Sequence, residues 1–137
     1  MKILLDTNII VDNLARRDEY GESLQILNLC ENGFVGGVVT TATVMDVMYI
    51  MRKHLRLHEV RDSIQMLLQI VDVVPVLKSD ISAALLGGFS DFEDAVQASC
   101  AMRVKADYIV TRNAKDFEKS PVPAVPPDDL LNMLYSA

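Results

Sequence analysis

The sequence predicts an α/β fold in three layers, with helices on both faces of a parallel sheet of about five strands. Three observations predict it. Short apolar runs such as KILL, VDVVPVL and ADYIVT alternate with longer stretches of helical periodicity, the pattern of strand–helix–strand crossovers rather than hairpins. The breaks between them hold capping and turn residues, as in DTN, NG, GG and SDFE. Carboxylates recur at or near those breaks, at Asp6, Asp46, Asp91, Asp94 and Asp116. Side chains this far apart in a chain converge only if the fold gathers its strand ends on one edge, as an open parallel sheet does.

Each element has a local reason. Lys2–Leu5 is a short apolar strand stopped by the cap-rich Asp6-Thr7-Asn8. Residues 9–14 and Tyr20–Glu31 read as helices, the second closed by Asn32-Gly33. The run 34–39 is a second buried strand, and hydroxyls from Thr40 to Thr43 offer N-caps for a long helix reaching about residue 54. Another helix spans roughly 58–70, before a third strand in VDVVPVL that Pro75 ends. Ser79 or Asp80 caps a helix through Leu86, which Gly87-Gly88 closes. Ser90 to Glu93 has the S-x-x-E form of a capping box and opens a helix whose Ala95, Ala98 and Ala101 permit close packing. ADYIVT is a fourth strand. A short helix at 114–117, a short fifth strand near Val125 and a last helix over about 128–135 follow. No repeat or linker interrupts the pattern, so one domain over 1–137 is expected.

Composition bounds the function. A chain of 137 residues, half of them apolar, buries a core without disulfides. Cys30 and Cys100 lack metal-ligand spacing and are expected to be core thiols. Asp6 interrupts what would be the apolar run of a signal peptide, and no later stretch is long enough to span a bilayer, so a soluble cytoplasmic protein is expected. The net charge of −6 argues against nonspecific adhesion to nucleic acid. The densest basic stretch, RKHLRLHEVR, suits a solvated helix end as well as a nucleic-acid rim, and Arg16 and Arg17 form a smaller cluster.

In a parallel sheet the crevice lies beyond the carboxyl ends of the strands. Asp6 follows the first strand directly, and the TRN motif with Asp116 follows the fourth. Asp46 sits two turns into a helix, in the apolar run Val44 to Met48, where an unpaired charge is costly. Asp91 and Asp94, spaced i and i+3, share one helix face near its N-terminus and reach the same ion. Such a cluster suits a hard divalent cation.

The ordered set LLDTNIIVD, TTATVMD, DFEDAVQAS and YIVTRNAKDF resembles the PIN-domain family, which includes the toxin ribonucleases of bacterial toxin–antitoxin pairs. The resemblance implies that Asp6, Asp46, Asp94 and Asp116 take the family's acidic positions, with Asp91 an accessory carboxylate. It implies that Asn8, Thr111 and Asn113 orient those groups. Asp46 stands where Glu is commoner, one methylene short.

The chemistry implied is metal-dependent endoribonuclease action on single-stranded or looped RNA. One or two Mg²⁺ or Mn²⁺ ions on Asp6, Asp91, Asp94 and Asp116 would activate water and stabilise phosphoryl charge. Arg112, Lys115, Arg52 and Lys53 are the expected RNA contacts, and an antitoxin and a homodimer are the expected partners. A receiver domain lacks support, since no acidic pair ends the first strand and no Lys follows the last one. A DxDxT phosphatase is a rival that DTN disfavours, since it lacks the second Asp. A PIN-like RNA- or protein-binding module with weak or no catalysis is the alternative.

Overall fold

The computed structural model describes residues 1–17 and 20–136. In chain order the elements are β1 (Lys2–Leu5), α1 (Thr7–Leu14), α2 (Tyr20–Glu31), β2 (Gly36–Thr40), α3 (Thr41–Met51), α4 (Leu57–Ile70) and β3 (Asp72–Val74). Then come α5 (Lys78–Leu86), α6 (Phe92–Arg103), β4 (Tyr108–Val110), a 3-10 turn (Ala114–Phe117), β5 (Ala124–Val125) and α7 (Pro127–Tyr135). The five strands pair in parallel in the order β3-β2-β1-β4-β5. The chain winds outward through β2 and β3, then returns to lay β4 on the other side of β1. That reversal makes the β1/β4 boundary the topological switch point, where ligands of such sheets bind. The backbone is continuous across it, with the Asp6 N–H donating to the Val110 carbonyl at 3.0 Å.

The alternation of β1 divides the core. Ile3 and Leu5 face a layer built from α1, α2, α3, α4 and α7, with Ile9, Ile26, Met51, Ile64 and Leu130 buried there. Leu4 faces the opposite layer, with Ala95, Ala98, Cys100 and Ala101 of α6 and Phe117 behind it. The alanines let α6 lie close to the sheet, as their size predicts. Both cysteines are free and buried, and burial pushes each thiol up to about 11. At Gly37 a side chain would collide with Cys30, its Cβ falling 2.7 Å from Cys30 Sγ, so this glycine lets α2 sit on β2. Among the described residues, no helix is long and apolar enough to cross a membrane.

The structure corrects several local expectations. Helix α1 starts at Thr7, because the Asp6 carboxylate caps Thr7 N–H at 2.8 Å. Phe34 lies outside β2 and is 74% exposed, since the left-handed Gly33 turns the chain before the strand begins. Helix α3 stops at Met51. The residue before α5 is Leu77, and Asp80 caps from inside the helix, accepting the Leu77 N–H at 2.9 Å. Asp91, not Ser90, caps α6, through an Asp94 N–H bond of 2.9 Å.

A carboxylate cleft at the switch point

Asp6 anchors the site. It is 8% exposed, at the carboxyl end of β1, and four groups donate to it. Thr7 N–H and the Gln97 amide reach Oδ1 at 2.8 and 3.0 Å; the Thr111 hydroxyl and the Asn8 amide reach Oδ2 at 2.8 and 3.3 Å. These donors orient the carboxylate and offset the cost of its burial. Asn8 and Thr111 therefore both donate to Asp6. Asn113 acts differently: its backbone N–H donates to Thr111 Oγ1 at 3.1 Å while the residue lines the cleft.

A cleft of about 300 Å³ opens beside Asp6, lined by carboxylates from three places in the sequence. Asp91, Glu93 and Asp94 enter from the start of α6, and Asp116 from the turn after β4. Crowding shows in their acidities. Partial burial and the charges of Asp91, Asp6 and Asp116 push Asp94 up to about 7. A hydrogen bond to Asp46 is the main reason Glu93 rises to about 8, aided by burial and by the Asp46, Asp91 and Asp6 charges.

Asp46 does not line this cleft. It lies in an adjoining apolar depression with Met45, Ile81 and Phe92, and Glu93 borders both spaces. Glu93 is thus a cleft acid that the sequence reading passed over, because S-x-x-E already had a local explanation as a capping box. Gln97 was missed as well. It is 1% exposed, donating to Asp6 and, at 3.3 Å, to Thr43, and accepting from the Thr40 hydroxyl at 2.9 Å. Nothing local in AVQAS marks it.

The expected cationic residues separate into different settings. Arg112 Nε lies 2.7 Å from Oδ2 of Asp12, a fully buried carboxylate absent from the sequence-based set. Lys115 lies in a neighbouring depression that shares Asp116 with the cleft. Arg52 and Lys53 are exposed past the end of α3, stacked at 3.9 and 5.9 Å on the Tyr49 ring.

Among the described residues, no three His, Cys, Asp or Glu side chains form a ready-made group for holding a metal ion. The donor chemistry nevertheless suits a hard cation. The acids of the cleft offer oxygen alone, and their mutual repulsion is what a divalent charge relieves. An ion that keeps several waters need not touch every carboxylate.

A family model described as a PIN domain matches residues 2–115. The chain belongs to the PIN domain family. A search of curated proteins finds no match. Solved PIN structures share its fold. The VapBC2 complex of Rickettsia felis, bound to a DNA fragment from its promoter, is 17% identical with a TM-score of 0.71 over 92% of this chain and 98% of that one. A toxin–antitoxin complex from Klebsiella pneumoniae is 24% identical, with a TM-score of 0.70 over 91% and 97%. VapC20 of Mycobacterium tuberculosis, described as a toxin cleaving the sarcin–ricin loop, is 13% identical, with a TM-score of 0.65 over 86% and 92%.

Proposed function

We propose that this PIN domain is an endoribonuclease that depends on Mg²⁺ or Mn²⁺ and serves as the toxin of a toxin–antitoxin pair. The observation that carries the reading is the cleft itself: Asp6, Asp91, Glu93, Asp94 and Asp116 gathered at the switch point, with Asp94 raised to about 7. Asp6 and Asp94 would hold the cation, with Asp91 and Asp116 at its margin. Bound there, it would supply Lewis-acid charge for the phosphoryl oxygens and lower the pKa of a water.

The chain's own groups prepare for this. Both oxygens of Asp6 already accept two donors, and the Asn8 amide at 3.3 Å, the longest of the four, is the one a coordinated cation would most readily displace. Thr111 and Gln97 then keep the carboxylate's orientation. Glu93 takes the place in the cleft expected of Asp46, and Asp46 acts behind it through their hydrogen bond. No protein nucleophile is needed: both thiols are buried in the core, and His54 and His58 are exposed beyond the cleft lining.

RNA is the substrate by family membership, and an antitoxin is the partner the structural neighbours suggest; an Arg or Lys offered by it would match the charge of the carboxylates. A homodimer would use the exposed apolar side chains around Met45, Ile81 and Phe92. The displacement of Asp46 from the cleft favours one second reading, a binding module with weak catalysis. Mapping new 5′-phosphate ends in total RNA incubated with protein and Mn²⁺, beside EDTA and Asp94→Asn controls, separates the two. Discrete ends needing both metal and Asp94 support the nuclease; ends no more numerous than in the Asp94→Asn control support the binding module.

A further inference from the structure

Among the described residues, the cleft contains one cation. Of the described residues that line it, five are acids and Arg17 alone is basic. Its position follows from the end of α1. Arg16 N–H donates to the Asn13 carbonyl at 3.3 Å and Arg17 N–H to the Asp12 carbonyl at 3.0 Å, the paired bonds of a Schellman turn. Arg16 occupies the left-handed position of that turn, φ +52°, which glycine normally takes. The turn folds Arg17 back over α1, and its Nη1 lies 3.7 Å from Oδ1 of the fully buried Asp12. Asp12 Oδ2 meets Arg112 at 2.7 Å on the other side. Asp12 thus pairs with two guanidinium groups, Arg112 closely and Arg17 more loosely, and of the two Arg17 lines the cleft.

At 3.7 Å the Arg17 contact is an ion pair longer than a hydrogen bond, and the side chain is 42% exposed. Its planar fork of N–H donors is therefore available to a second anion, and phosphate is the anion that fork matches. Resting on the reading of the cleft as an RNA-cleaving site, we infer that Arg17 binds a backbone phosphate of the RNA strand next to the carboxylates, with Asp12 as its positioning residue. An acidic cleft repels a polyanion; a cation fixed at its lip offsets that repulsion locally without making the whole surface adhesive.

The test measures binding of a fluorescein-labelled single-stranded oligoribonucleotide by anisotropy, with Ca²⁺ in place of Mg²⁺, from 50 to 300 mM KCl. Wild type, Arg17→Lys and Arg17→Gln are compared, with the thermal midpoint of each recorded. Loss of about tenfold in affinity is expected for Arg17→Gln. Its log–log salt slope should be shallower by about 0.7, one single-strand phosphate contact. Arg17→Lys should retain the slope and part of the affinity, because the charge stays and the fork is lost. Identical affinity and slope in wild type and Arg17→Gln overturn the inference, as does a loss in Arg17→Gln that tracks a fall in its thermal midpoint with no change in slope. If wild type cleaves RNA while the Arg17 variants bind normally, only this inference fails. If wild type neither binds nor cleaves RNA, the nuclease reading fails and takes the inference with it.

Discussion

Gln97→Leu tests whether the polar brace behind Asp6 is structural, functional or both. The substitution nearly conserves volume in a position 1% exposed, so the cavity cost is small. It deletes the 3.0 Å donor to Asp6 Oδ1 and the 2.9 Å acceptor of the Thr40 hydroxyl. The bond to a charged group contributes roughly 1.5–3 kcal/mol, and leaving the Thr40 hydroxyl only its 3.4 Å contact with Thr43 Oγ1 as acceptor costs about 1 kcal/mol more. Burying a leucine in place of an amide returns roughly 1 kcal/mol. A net loss of about 1.5–3 kcal/mol remains, which at about 4 °C per kcal/mol lowers the thermal midpoint by roughly 6–12 °C. Calorimetry of both proteins without divalent cation measures this. Isothermal titration with Mn²⁺ then reads the second consequence, an affinity reduced by about 10- to 100-fold because the ligand loses the group that orients it. A variant within roughly 0.5 kcal/mol of wild type and equal in Mn²⁺ affinity would refute the claim that Gln97 positions Asp6.

The remaining expectations concern acidity and the paired carboxyls. Asp94 and Glu93 have folded-state pKa values raised to about 7 and about 8, so they stabilise the folded protein below the ordinary carboxylate pKa and lose that contribution as pH rises through those values. In EDTA the thermal midpoint should fall between pH 5 and pH 8.5, and Mn²⁺ should restore it at the upper end; a midpoint that is flat or rising in EDTA contradicts this. Replacing Glu93 with Gln should lower RNA cleavage more than Asp46→Asn does, since Glu93 lines the cleft and Asp46 stands behind it; the reverse order of initial rates would restore Asp46 as the cleft acid. At Asp80, 1% exposed, burial alone would raise the pKa, but the Arg103 ion pair at 2.9 Å, Leu77 N–H and Ser99 hold it down to about 2. That stability is present above the ordinary Asp pKa and is lost as pH falls towards 2. Arg103→Ala should cost about 2–3 kcal/mol at neutral pH, less than a fully buried pair because Arg103 is partly exposed, and acid unfolding should begin at a higher pH. Urea titrations at pH 7 and at pH 3 to 4 check both.

Much of the frame was legible because its causes are local. Apolar runs bounded by Pro, Gly and capping residues place the strands within a few residues, and alternation sends Ile3 and Leu5 to one layer and Leu4 to the other. Asp6, Asp94 and Asp116 could be read as one site because each follows or faces a strand exit, and parallel strands share an edge. Asn8 and Thr111 entered through the family resemblance alone, since nothing in their local sequence marks their bonds to Asp6. The errors lay where two explanations competed for one residue. Glu93 fits a capping box, which hides it as a cleft acid, while Asp91 makes the cap and leaves Glu93 to meet Asp46. Of the two cap candidates Ser79 and Asp80, Asp80 makes the cap, but from within the helix, while its other contacts tie α5 to α6.

The sequence by itself determined the sheet, its crossovers and which strand ends would bear carboxylates, because propensity, capping and the period of apolar residues act over a few neighbours. Only the tertiary structure decided what surrounds those carboxylates. Gln97 reaches Asp6 across 91 positions and Thr111 reaches it across 105. Arg112 and Arg17 meet over the buried Asp12 from separate segments. Asp46 points one space away from the cleft that its place in the chain suggested. Hydrogen bonds and ion pairs of this kind depend on distances of a few ångströms between side chains on different elements, and no periodicity in one element encodes where another will lie.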